Sequence, residues 1–219
     1  MLELKIKVLN LLASISYNTN EEYAYYRRAL ELDPTTVSKN ILAELYYKYA
    51  LASENLDDER TAVEYYKKCI EIKENSYLSA AMSNLAQIYD DLGETDIAIK
   101  FYSESIKIDE KTRNLNGIYQ STLRLAQIYS ISEPEKAVLS YNKALGAAVQ
   151  LNETFYMMTI STELGDFYLN RKLYDQALEN YRIAYKYSSE SIYKENKEKI
   201  QLRIDELKDI VGEDKFNEL

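Results

Sequence analysis

The chain contains no histidine, so the side chain that most often serves as general base or metal ligand near neutral pH is absent. Its single cysteine, Cys69, has no imidazole to activate it as a nucleophile and no second thiol with which to close an internal disulfide. Asp90 and Asp91 are adjacent acids able in principle to move a proton, but neighbouring acids at a helix end are usually solvated charge. A glycine-rich phosphate cradle, a G-x-S-x-G nucleophile elbow and a calcium-loop pattern are all missing. What the chain has in quantity is 22 tyrosines together with side-chain amides and carboxylates. Such groups recognise a molecule rather than transform it: an amide offers a peptide main chain both a donor and an acceptor. The expectation is a binding protein, not an enzyme, without metal or cofactor.

The elements that position these groups follow from composition. With 219 residues, 46% hydrophobic and 29% charged, the chain is long enough for a sizeable core and too apolar to be disordered. It has 5 Gly and 2 Pro, far short of the turn punctuation a many-stranded sheet needs, which favours helices joined by short polar loops. A formal charge of -9 repels phosphate backbones and anionic lipid surfaces, so neither nucleic acid nor membrane is expected as a direct partner. No apolar run approaches the roughly 18 residues needed to cross a bilayer. Residues 8–13 imitate a short signal core, but Glu3 precedes them and no convincing small-residue cleavage site follows. Together with the lone cysteine, this predicts a cytoplasmic protein.

An internal repeat organises the whole sequence. Leu85-Ala86-Gln87-Ile88-Tyr89 recurs as Leu125-Ala126-Gln127-Ile128-Tyr129, then as Leu164-Gly165-Asp166-Phe167-Tyr168, and more loosely as Leu45-Tyr46-Tyr47-Lys48-Tyr49. After each comes a small residue, an aromatic four positions on and a small residue three further: Ala62, Tyr66, Cys69; Ala98, Tyr102, Ser105; Ala137, Tyr141, Ala144; Ala177, Tyr181, Ala184. Tyr26, Ala29 and Pro34 are the remnant of an earlier copy. Residues three and four apart share a helix face, so each signature writes a stripe of alternating small and large side chains. Small residues let two helices approach and tyrosine rings fill the groove between them. Cys69 occupies a slot held elsewhere by Ser or Ala, which predicts a buried packing residue.

This L-[AG]-x-x-Y segment followed by A-x-x-x-Y-x-x-A resembles the tetratricopeptide repeat. The resemblance runs from Tyr26 through the last copy and its trailing helix. The usual Trp three before the Leu is replaced by Leu42, Met82, Thr122 and Ser161, and the terminal Pro survives only at Pro34. The period of about 40, against the standard ~34, lengthens helix B and the next helix A by roughly a turn each. Long-helix repeats of this style resemble those of bacterial peptide-sensing regulators, Rap-type phosphatases and kinesin light chains and related cargo adaptors. The resemblance implies an all-α, right-handed superhelical solenoid that binds a protein or peptide along the concave face lined by the A helices. Lys, Asn, Ile and Tyr usage hints at an AT-rich, bacterial genome.

Capping signals and periodicity predict helices near 2–17, 21–32, 35–54, 58–74, 76–92, 95–112, 115–131, 133–151, 153–171, 174–188 and 191–211. That is one solenoid domain over 1–219: a divergent pair in 1–34, four clearer repeats in 35–189, and a capping helix and tail in 190–219. Ser132-Glu133-Pro134-Glu135 reads as a capping box with Pro in the first turn. An apolar line through Ile192, Ile200, Ile204, Leu207 and Val211 lets the last helix cap the array. Residues 2–17 are apolar on more than one face; they either pack on the first pair with some exposure or bury the second face in a homodimer, a partner or an upstream segment.

Around the position before each signature Leu, the spacing i−4, i, i+3, i+7 defines a helix-A face turned away from the packed stripe. The candidate binding residues on it are Asn40, Glu44 and Tyr47; Asn84, Gln87 and Asp91; Gln120, Arg124 and Gln127; and Glu163, Asp166 and Asn170, with Leu51, Ala80, Ile131 and Thr159 completing the rows. Any solvent-facing helix stripe is polar, so polarity alone does not mark a site. The row is rich in amides and, apart from Arg124, acidic, which suits a basic or neutral peptide segment over a C-terminal carboxylate. Three rivals share these repeats: the sensor part of a peptide-regulated transcription factor, for which no helix-turn-helix precedes the repeats; a Rap-type signalling phosphatase, for whose N-terminal bundle residues 1–20 are too short; and a structural assembly protein.

Overall fold

The repeating small and aromatic residues are what the core is made of. In a computed structural model of the chain, which describes residues 1–32, 34, 37–189, 191–213 and 216, the recurring alanines Ala62, Ala98, Ala137 and Ala177 have no exposed surface. The aromatic four positions on from each is equally enclosed, Tyr66 and Tyr181 at 0%, Tyr102 at 1% and Tyr141 at 3%. Each tyrosine thus brings a large apolar ring into the gap that the small residues open, while its hydroxyl needs a polar exit.

The described residues form eleven α-helices and no strand: α1 Leu2–Ser14, α2 Thr19–Leu30, α3 Lys39–Glu54, α4 Glu59–Glu71, α5 Leu78–Asp91, α6 Thr95–Thr112, α7 Leu115–Ser132, α8 Pro134–Leu151, α9 Thr154–Asn170, α10 Tyr174–Tyr187 and α11 Lys194–Val211, with a short 3-10 turn at Ser191–Tyr193. This is the helix-on-helix stacking of an all-α solenoid, and the helix bounds expected from sequence agree to within about three residues at nearly every end. The expected start of the third helix at 35 and 36 lies outside the described residues, as do 190, 214, 215 and 217–219 of the cap and tail; α3 is described from Lys39.

Two compact units divide the chain, Met1–Ile108 and Asp109–Leu219. In the first, α1 packs on α2, α2 on α3, α3 on α4 and α4 on α5. One cluster there gathers Ile6, Ala13, Tyr26, Ala29, Leu45 and Tyr49; another gathers Ala43, Ala62, Tyr66, Cys69, Ala81 and Leu85. In the second unit, α7 packs on α8, α8 on α9, α9 on α10 and α10 on α11. Its clusters centre on Tyr141, Ile160 and Leu164, and on Tyr181, Ile200 and Leu207.

Three sequence expectations are corrected. The capping box does not form: Ser132 is the last residue of α7, and α8 opens on Pro134 with Glu133 at the N-cap and no side-chain cap bond. Pro at the first helical position, which has no N–H to satisfy, marks the start instead. Asp58 does cap α4, accepting from the Thr61 N–H at 3.2 Å. Ile192 does not join the apolar line of the last helix, because it sits in the preceding 3-10 turn and is 75% exposed. Finally, α1 ends at Ser14 rather than at 17; as one of the two sequence readings has it, the helix packs on its neighbours with exposure, Ile6 and Ala13 entering the core and Leu4, Val8, Leu11 and Ile15 standing in solvent.

Candidate functional site

The polar exits of the buried tyrosines lead to the helix-A faces that hold the candidate residues. In the first unit, the Tyr66 hydroxyl donates to Glu54 Oε2 at 2.8 Å and accepts from Asn84 Nδ2 at 2.8 Å. Asn84 is therefore held through its amide donor, and its carbonyl oxygen is the acceptor of the group. Tyr102 Oη donates to Gln87 Oε1 at 3.2 Å, while Gln87 Nε2 donates to Asp91 Oδ1 at 2.9 Å. Tyr47 stacks on Tyr77 with ring centroids 5.0 Å apart. Glu44 pairs with Lys48 Nζ at 2.8 Å. Asn40 is exposed near the start of α3.

The second unit repeats the device with carboxylates. Asp166 Oδ1 accepts from Tyr181 Oη at 2.7 Å and from Arg203 Nε at 2.7 Å. Glu163 accepts from Gln127 Nε2 at 3.0 Å, and Gln127 Oε1 accepts from Arg124 Nη1 at 3.3 Å. Burial holds the Glu163 carboxyl above its ordinary range, against the opposing pull of the Gln127 bond and the Arg124 charge. Gln120 and Asn170 are exposed. Arg124, Gln127 and Glu163 thus form one chain of contacts, and Asp166 belongs to a second with Arg203.

Residues that the sequence rule missed lie one repeat to either side of those it found. On α1, Lys7, Asn10, Leu11 and Ser14 line a cavity of about 250 Å³ with Ile41, Glu44 and Lys48 of α3. On α11, Lys199, Arg203 and Glu206 line one of about 450 Å³ with Asp166, Leu169 and Asn170 of α9. Arg203 stands 37 positions after Asp166, and Gln127 and Glu163 are 36 apart, so α11 occupies the place of a further helix A. Repeat spacing carried past the last signature would have found it. These cations change the electrostatics: Glu44 and Asp166 are partnered by Lys48 and Arg203, and the faces are of mixed charge rather than acidic throughout.

Cys69 is fully enclosed, and burial pushes its thiol up to about 12. A thiol so far from ionised at neutral pH is a packing group. Among the described residues no three or more His, Cys, Asp or Glu side chains are placed to hold a metal, and no helix is long and apolar enough to cross a membrane.

Comparison with known proteins gives these faces a setting. A tetratricopeptide repeat family model matches residues 43–76 and 79–112. Tetratricopeptide repeat protein 29 of Trypanosoma brucei brucei is 27% identical over 161 residues, 69% of this chain and 34% of that protein. The photosystem I assembly protein Ycf3 of Prochlorococcus marinus is 32% identical over 90 residues, 39% of this chain and 52% of that protein. The chain thus spans between a third and about half of the length of these relatives. A solved kinesin light chain of Podosopora anserina with TPR-like repeats superposes with a TM-score of 0.64 at 15% identity, covering 86% of this chain and 95% of the other. Proteins of this kind are typically scaffolds for protein interaction. The periodic core, the two matched repeats and the related fold together make the chain similar to tetratricopeptide repeat proteins.

Proposed function

We propose that the chain is a non-enzymatic adaptor that holds a peptide or protein segment against its helix-A faces, that of α3 and α5 in the first unit and that of α7 and α9 in the second each being a binding face. The observation that carries this reading is the anchoring of the row from behind: Asn84 and Gln87 by Tyr66 and Tyr102, Asp166 by Tyr181. Side chains already fixed in one rotamer lose little entropy when a ligand arrives, so they bind main-chain groups more tightly than free surface amides do. Asn84 offers an acceptor to a peptide N–H, and exposed Arg124 offers a fork to a single carboxylate. In the first unit, Asp91 beside Gln87 favours a neutral or mildly basic segment. The lone buried cysteine suits a reducing, cytoplasmic setting, and the net charge of -9 disfavours nucleic acid and anionic lipid.

The test is a pull-down from host lysate with wild type and with Asn84→Ala/Arg124→Ala, identifying what each retains. Loss of a specific protein from the double variant supports the helix-A faces as the site; an unchanged set sinks them as the site. A structural assembly role is the second reading, favoured by the exposed apolar side of α1 and by the assembly function in the name of the Prochlorococcus relative. A peptide-sensing regulator or a Rap-type phosphatase would need a further domain. Turnover of a phosphorylated receiver domain by the chain would establish the latter.

A further inference from the structure

The first helix carries two apolar seams. Leu2, Ile6, Leu9 and Ala13 face the core of the first unit, where Ile6 and Ala13 are completely or almost completely enclosed and Leu2 and Leu9 pack beside them. Leu4, Val8, Leu11 and Ile15 have the same spacing of four, three and four, displaced by two residues. At 100° per residue that displacement sets the second seam on nearly the opposite side of the helix. Its members are exposed by 65%, 47%, 62% and 60%, and Met1 and Tyr17 beyond its ends are wholly exposed. A four-three-four apolar spacing is what one helix presents to another in knobs-into-holes packing, and a lone surface leucine would need no such order.

We propose that this seam pairs antiparallel with the same seam of a second copy of the chain. The spacing reads identically in both directions, so an antiparallel partner sets Leu4 against Ile15 and Val8 against Leu11 at both ends of a twofold contact. Charge selects the same arrangement. Glu3, Lys5 and Lys7 flank the amino-terminal half of the seam, with Lys7 paired to Glu3 at 2.8 Å, which leaves that half net positive, and the other half is flanked by uncharged Leu12 and Ser14. A parallel pair gathers both positive sets at one end. An antiparallel pair parts them and brings each set to the end where the other copy's α2 opens with Glu21 and Glu22. The seam is only two turns or so of paired side chains, in the class of small interfaces below about 1,200 Å² in total. The pairing is accordingly reversible, with a dissociation constant in the micromolar range, and its Leu11 edge borders the cavity between α1 and α3.

Cysteine cross-linking of the whole chain reads both the pairing and its direction, and Cys69 is too deeply buried to compete. Leu4→Cys mixed with Ile15→Cys under mild oxidation is expected to give a disulfide-linked pair. Leu4→Cys alone is expected to stay single, because its two copies stand about 16 Å apart along an antiparallel pair and a disulfide needs Cα atoms within about 7 Å. Sedimentation equilibrium of wild type should show the mass rising from one chain to two between about 1 and 200 µM. Val8→Glu, at an exposed seam position outside the cavity between α1 and α3, should abolish the rise while leaving the thermal melt unchanged. Wild type that remains a single chain at every concentration overturns the pairing. Cross-linking of Leu4→Cys with itself, or a dimer that survives Val8→Glu, overturns the seam and its direction.

Discussion

Gly165 shows how one atom is tuned to the repeat. In two other copies the residue after the signature Leu is Ala86 or Ala126, both without exposed surface. A Cβ on Gly165 would lie 2.5 Å from Tyr181 Cε1 and 2.6 Å from its Cδ1. The Tyr181 ring cannot back away, because its hydroxyl is held by Asp166 and its flanks by Met158 and Ile200 in the same cluster. Gly165→Ala, although it restores the more common repeat residue, should therefore destabilise the chain by about 1–3 kcal/mol through overpacking, read as a lower urea midpoint. Glu163 gives a pH signature. Burial raises its folded-state pKa above the unfolded value, so its contribution is most favourable below the unfolded pKa and is lost as pH rises through the folded one. At neutral pH the ionised group is a cost. Glu163→Gln should accordingly melt higher than wild type at pH 7, with the difference vanishing below roughly pH 4; a variant that melts lower at pH 7 would show that the Gln127 and Arg124 contacts outweigh burial. The polar residues themselves were readable from the spacing, but their engagement was not. No sequence pattern states that a tyrosine 15 or 18 positions away will take up the inner atom of an amide.

Among the elements, helix positions were legible because one signature fixes each helix pair, and the ends were less so because the backbone rather than side-chain type decides them. Asp57, Arg113, Asn152 and Lys172 all have φ between 56° and 60°, and Gly93 and Gly212 have φ 77° and 83°. Each lies just past a helix end, the position where glycine is the usual residue because a Cβ is unfavourable there. The sequence places Gly at only two of these six positions, so a search for Gly as a stop signal misses most of them. Lys172→Gly and Arg113→Gly should each stabilise the chain by roughly 0.5 kcal/mol, the relief of left-handed strain exceeding the added freedom of the unfolded chain. A fall in melting temperature for both would mean that those side chains make contacts worth more than the strain. The last helix was legible as a cap but not as a donor of site residues. It lacks the Leu-Ala and Tyr signature, so a rule centred on that signature stops at α9, although Arg203 lies one period after Glu163.

For the whole molecule, the absence of histidine and the single enclosed cysteine leave no side chain of ordinary pKa to titrate between pH 6 and 8. The net charge of -9 is therefore nearly constant there, and it is carried by carboxylates that protonate only in acid. Recognition by the chain should share this plateau. For a partner peptide that itself lacks histidine, affinity should change by less than about twofold between pH 6 and 8 and then fall below about pH 5, where carboxylates begin to lose their charge. Raising salt at pH 7 should weaken the same complex, since exposed charges are screened beyond about 8 Å at physiological ionic strength. Calorimetric titrations across pH and salt separate the contributions. A plateau with an acid fall and a salt dependence is the behaviour of a mixed-charge face that uses its carboxylates. A plateau without either would place the binding free energy in the neutral amides and in apolar contact, and a step between pH 6 and 7 would require a titrating group that this chain does not possess.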